Sequence, residues 1–166
     1  MAIQFLRLGA LIAGKSGDEK MPAGAGIDAR IDTKKFSADL LKAAEALDAD
    51  VRQVVRRLAI GIESEAVKRT PVDTGRARAS WNTTEEVADL TVAPKGDHPA
   101  FQGDLSQHPS PTPIGYLSGE KPIYISNNVE YILDLEYGSS SQAPNGMARL
   151  AVAAELAQLQ AIVDEA

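Results

Sequence analysis

The chain contains one stretch that matches a known chemical pattern letter for letter. Gly9-Ala10-Leu11-Ile12-Ala13-Gly14-Lys15-Ser16 fits the phosphate-loop form GxxxxGK[ST]. That loop aims backbone N–H groups and a helix N-terminus at phosphates, with lysine on the β/γ oxygens, so a helix must begin at the Gly-Lys step. Here Gly17, Pro22, Gly24 and Gly26 follow, and no helical pattern starts until after Asp32. Nor does the chain alternate strands and helices as a nucleotide-binding sheet does. The match reads as coincidence in an apolar arm, and no cofactor is expected.

The two histidines, His98 and His108, stand near Asp97 and Asp104, and each directly precedes a proline. A metal or general-base site needs such groups to converge, and no helical spacing holds these together. Ser139-Ser140-Ser141 lacks the G-x-S-x-G frame of a serine nucleophile. Asn82-Thr83-Thr84 is a glycosylation sequon that has meaning only in a secreted chain. No catalytic residue and no metal site is expected, and the chain reads as a non-enzyme.

Three further features have more shape than chemistry. Arg69, Arg76 and Arg78 cluster around a turn, where two readings stay open: a locally paired strand end, or an interface set that forks onto carboxylates of a neighbour. Glu136-Tyr137-Gly138 reads as the end of a short helix, with the glycine in a left-handed cap. Trp81, the sole tryptophan, is a core anchor by default and an interface anchor otherwise.

Composition narrows the partners. At 166 residues the chain fits one domain able to bury its own core. A formal charge of −6 argues against binding nucleic acid by counterion release, though not against a surface past which DNA slides. With no cysteine, disulfides and thiolate zinc sites are excluded, which fits a reducing cytoplasm. No apolar run approaches the ~20 residues that span a bilayer, and Arg7 interrupts the apolar start expected of a signal peptide. No membrane partner is expected.

The elements that must position these residues follow from periodicity. Residues 1–26 read as an N-terminal arm, and 27–166 as a single α+β domain with an inserted proline-rich loop at 94–121. A short strand or turn is expected at 27–31. Phe36, Leu40, Leu47, Val51, Val54, Val55, Leu58, Ile62 and Ala66 recur in steps of three and four, which predicts one long amphipathic helix over 34–68. Gly61 marks a bend or a close contact in it. Pro71 ends it, and Asp73-Thr74-Gly75 supplies a turn. Residues 80–84 and 86–93 read as a hairpin or two edge strands, and 122–127 as a strand. A short helix at 129–137 and a final helix at 147–165, with Leu150, Ala154, Leu156, Leu159 and Val163 as its stripe, complete the domain. The fold class is therefore α+β: a long amphipathic helix on a small, mostly antiparallel sheet, with a short helix and a C-terminal helix.

Two signatures stand in this frame. Thr70-Pro71-Val72-Asp73-Thr74-Gly75, running through Arg78 and Ser80 to Trp81, follows the long helix. Asn127-Asn128-Val129-Glu130-Tyr131 runs on to Glu136-Tyr137-Gly138-Ser139 and then to Gly146-Met147. Together they resemble the tail-completion and neck family of long-tailed bacteriophages, over about residues 36–154 without the long loop. The arm and the loop exceed the minimal family pattern. The resemblance implies a structural virion subunit at the head–tail junction: a neck, tail-completion or tail-terminator ring, made in the host bacterial cytoplasm. It implies a homo-oligomeric ring, usually hexameric, that meets adaptor, stopper or tail-tube proteins and passes DNA without sequence-specific binding. A tail-tube or baseplate-associated adaptor is the alternative, and a small hydrolase or nucleotide enzyme a distant third.

On that reading Arg76, Arg78, Trp81, Tyr131, Glu136, Tyr137 and Gly138 are candidates for the subunit interface. Asp97, Asp104, Glu120, Glu155, Asp164 and Glu165 are candidates for the channel lining, where carboxylates would repel phosphate. Arm and loop, with apolar residues such as Phe101, Leu105, Ile114 and Tyr116, are expected to order on assembly.

Overall fold

A computed structural model describes residues 3–5, 33–103, 117–118 and 120–165. The expectations for 6–32, the phosphate-loop match among them, and for 104–116, with Asp104 and His108, lie outside the described residues. The architecture is α+β, with seven regular elements and two short 3-10 turns. In chain order they are β1 (Ile3–Phe5), α1 (Thr33–Ala46), α2 (Val51–Arg69), β2 (Asn82–Glu85), β3 (Ile123–Asn127), α3 (Ile132–Glu136) and α4 (Ala148–Glu165). The sheet has the order β1-β3-β2, antiparallel throughout, with Asn82 opposite Ser126 and Ile3 opposite Asn127. α2 touches both the sheet and α4, and α1 packs on α2 and α4.

The single long helix is corrected to two. α1 stops at Ala46, Asp48 takes a left-handed φ of 47°, and Asp50 caps the restart by accepting the Arg52 N–H at 2.8 Å. Side-chain hydrogen bonds from Arg52 hold the Asp50 carboxyl down to about 2. The stripe misled because it resumes nearly in phase: Leu40, Val55, Leu58 and Ile62 are buried as expected, but Leu47 at the break stays 41% exposed. An Asp-Ala-Asp sequence, which favours caps and turns over helix interiors, was the available local signal.

The C-terminal end of α2 falls at Arg69, before Pro71, as expected. Thr70 caps that end. Its N–H reaches Ala66 O at 3.0 Å, and its hydroxyl donates to the same oxygen at 2.6 Å. That hydroxyl in turn accepts the Trp81 indole N–H at 2.9 Å. Trp81 is 2% exposed, so it is an anchor of this core, and its candidacy for a subunit interface is corrected.

Past β2 the expected second strand is absent. Glu86 turns at φ 73°, and 87–93 runs irregularly, held by side chains: Asn82 to Thr91 O, Ser126 to Asp89 O and Asn128 to Leu90 O. The strand pattern of 86–93 was thus satisfied without a ladder.

α4 keeps part of its expected stripe, with Leu156 and Val163 packed against the core, but its first turns bury a different set. Ala148, Ala151, Val152 and Leu159 are buried, whereas Leu150 is exposed. Alanines let α2 approach closely, and Glu155 falls on the same seam. A Cβ on Gly61 would lie 2.3 Å from a Glu155 carboxylate oxygen, so Gly61 is the close contact, not a bend.

Thr70→Val keeps the shape and removes the acceptor of the buried indole N–H. It is expected to lower stability by about 1–3 kcal/mol, with Thr70→Ser losing less. Urea denaturation followed by the fluorescence of the single tryptophan measures both.

Candidate functional site

The two signatures, far apart in sequence, form one junction in space. Val72 and Gln142 bond reciprocally, N–H to Oε1 and Nε2 to O, both at 3.0 Å. Buried Asn127 donates to Ala77 O at 2.8 Å and accepts the Val129 N–H at 3.1 Å. Arg76 bonds Glu130 at 2.8 Å and Ala93 O at 3.0 Å. The Arg76 guanidinium, by hydrogen bonding, holds the Glu130 carboxyl down to about 2.

Arg78 closes the other side. Its guanidinium donates to Thr70 O at 2.8 Å and Lys68 O at 3.4 Å, and to Phe101 O and Gly103 O at 3.3 and 3.1 Å. A cation on the carbonyls of a helix C-terminus is favourable by charge and satisfies groups the helix itself leaves open. Burial pushes its pKa down from the ordinary arginine value. The expectation that Arg76 and Arg78 fork onto a neighbour's carboxylates is therefore corrected: both guanidinia are engaged within the chain. Gly75, at φ 81°, makes room for the same segment, since a Cβ there would lie 2.7 Å from His98 O. That segment holds a 3-10 turn at Pro99–Phe101, so the start of the long loop is built into the junction.

The second signature is organised by Glu136. Its side chain is wholly buried, yet it lies at the N-terminus of α4. One carboxylate oxygen accepts the N–H groups of Met147 and Ala148 at 2.9 and 2.8 Å. The other accepts Arg149 N–H at 3.2 Å and Nε at 2.8 Å. The carboxylate thus replaces a local cap, where the helix dipole favours an anion. Its role as an interface residue is corrected to that of a buried helix anchor.

Gly138 follows at φ 89°, with Gly138 N–H on Leu135 O and Ser139 N–H on Asp134 O, the left-handed cap expected. A Cβ there would lie 2.4 Å from Pro144 O. Gly146, at φ 83°, makes the matching approach to Glu136 O, where a Cβ would lie at 2.5 Å. Sequence reading missed Arg149, and it quoted Asn127 and Gln142 within the second signature without giving either a role. Asn127 carried a signal, an amide at a strand end before a second Asn, but its partner Ala77 O has no side-chain signature.

Of the remaining interface candidates, Tyr131 is half-buried against the core. Tyr137 is 66% exposed, with the Arg149 guanidinium 5.4 Å from its ring centre. An open depression beside it is lined by Tyr131, Asp134, Leu135, Tyr137, Gly138 and Ser139.

The acids sort differently. Asp97 is exposed, accepting a 3.4 Å bond from Gln102, and Asp164 and Glu165 are exposed at the end of α4. Glu120 pairs with Arg52 at 2.6 Å, which leaves less charge for a lumen. Glu155 is turned toward Gly61, and its place on a channel wall is corrected to a helix seam. Burial, with Glu65 nearby, raises its pKa, which Lys68 partly offsets.

His98 donates its ring Nε2–H to Pro94 O at 2.9 Å, and no group of three or more metal-binding side chains converges among the described residues. No helix among them is long and apolar enough to cross a membrane. No family model, no curated protein and no solved structure matches this chain.

Glu136→Ala strands the buried N–H groups of Met147 and Ala148 and the part-buried one of Arg149, and is expected to cost on the order of 2–3 kcal/mol. Glu136→Gln keeps an acceptor and should cost less, by chemical denaturation of both variants.

Glu155 has a folded pKa above its unfolded value, so the native state binds its proton more readily. Its destabilising effect is full at neutral pH and fades as pH falls through the folded pKa toward the unfolded value near ~4.3. Glu155→Gln should then be more stable than the wild type at pH 7, with the difference closing by about pH 4. Melting temperatures across that range give the result, and a difference independent of pH would contradict the seam assignment.

Proposed function

We propose that this chain is a structural subunit of the head–tail junction of a long-tailed bacteriophage, one copy of a neck, tail-completion or tail-terminator ring. The observation that carries the reading is the joint use of the two signatures for shape. The contacts that link them are structural: Gln142 satisfies both backbone groups of Val72, Asn127 satisfies Ala77 O, and Arg76 pairs with Glu130. The resemblance to the neck family rests on those same residues.

A ring subunit needs two different surfaces that meet around a closed rotation. Two exposed sets are available for this. Tyr137 with Gly138 and the depression beside it forms one, and Val87 with Leu90, at 71% and 42% exposure beyond β2, forms the other. On this reading the exposed acids Asp97, Asp164 and Glu165 line the channel, and their repulsion keeps the duplex from sticking.

Light scattering and electron microscopy of the purified protein are expected to find closed rings, and labelled copies should lie at the head–tail joint of particles. Copies found along the tail or at its tip would favour the tube or baseplate reading instead. A monomer at all concentrations, absent from particles, would sink both.

A further inference from the structure

β1 differs from the other elements in how it is attached. It is three residues long, lies at a sheet edge, and has β3 as its main neighbour. No hairpin ties it there. The chain between β1 and α1, residues 6–32, is 27 residues long and carries Gly9, Gly14, Gly17, Pro22, Gly24 and Gly26.

The slot it fills matters more than the strand. β3 is the central strand, and Ile123, Ile125, Ser126 and Asn127 are all buried. An empty slot would leave the edge of that strand open, and an open edge invites pairing with other chains. The pairing itself is backbone to backbone in a fixed antiparallel register, Ile3 with Asn127, Gln4 with Ser126 and Phe5 with Ile125. Such a ladder is the same whichever copy supplies the strand.

Length permits either source. Twenty-seven residues can extend to at most about 90 Å. A domain of this size has a radius of gyration of about 14 Å, so an adjacent copy is within reach. Strand and slot are also unlike surfaces on one chain. That is the requirement of a head-to-tail contact that closes into a ring, each slot filled and no strand left over.

We propose that in the assembled particle the β1 slot of each subunit is filled by the N-terminal strand of its neighbour, a second copy of this chain. The inference rests on the ring reading above. In the ring the strand acts as a strap, and the sheet of each copy is complete only with the partner's residues.

The test replaces Phe5 by photoreactive benzoylphenylalanine in the full-length chain. Light and isotopically heavy copies are mixed before assembly, irradiated, and the cross-linked peptides read by mass spectrometry. Exchange gives links between Phe5 and the 123–127 peptide in which light–heavy pairs are as frequent as like pairs. Links confined to one isotope in a proven ring overturn the exchange and leave the ring reading standing. Failure to form any ring removes both, and a ring with no link to 123–127 removes the slot.

A second variant, Phe5→Pro, deletes an N–H that faces Ile125 in the ladder, since Ser126 turns its own backbone groups toward β2. It is expected to weaken assembly at least tenfold while circular dichroism of the helices is unchanged. Assembly at the wild-type concentration would count against the strap.

Discussion

The C-terminal end of α2 is the constraint on which the rest depends. A helix leaves its last carbonyls without partners, and here that end sits inside the molecule. Thr70 and Arg78 supply what is missing, from the cap itself and from eight residues beyond it. Once Trp81 is tied to Thr70, the direction of the chain into β2 is set, and β2 in turn places β3. The arginine reaches past the helix to Phe101 and Gly103, so the opening of the proline-rich segment is held by the same cation.

Glu136 solves the opposite problem at the start of α4. An acid at a helix N-terminus needs no explanation on a surface, but this one arrives from another helix and is buried. Its charge is balanced by Arg149 and by N–H groups that point at it, so desolvation is offset by bonds that fill both oxygens. The glycines at 138 and 146 let the backbone come close enough for this. The two ends are thus complementary, a cation on carbonyls and an anion on N–H groups, joined by Val72 with Gln142.

Much of this was legible before the fold was known. The end of α2 at Pro71, the strand at 123–127, the short helix with its glycine cap and the final helix all follow from local chemistry. The break at Leu47 to Asp50 did not, because apolar spacing continued across it while the decisive information lay in two aspartates. Only the start of α4 was misread, because its buried residues there are mostly alanines, which hydrophobicity ranks below the exposed Leu150. The arginines and Glu136 were recognised as special, but not as inward-facing. Their partners are backbone atoms, which leave no mark in a sequence.

The order of the sheet has a consequence for synthesis. β1 emerges first, yet its partner β3 begins only at Ile123, so the ribosome makes the edge strand long before the strand it lies against. At roughly 5–20 residues per second, that wait is on the order of ten seconds. During it α1 and α2 can pair with each other, but the C-terminal end of α2 and the core around Trp81 stay incomplete. The residues of β1 thus have no ladder partner in the chain until Ile123–Asn127 has been made.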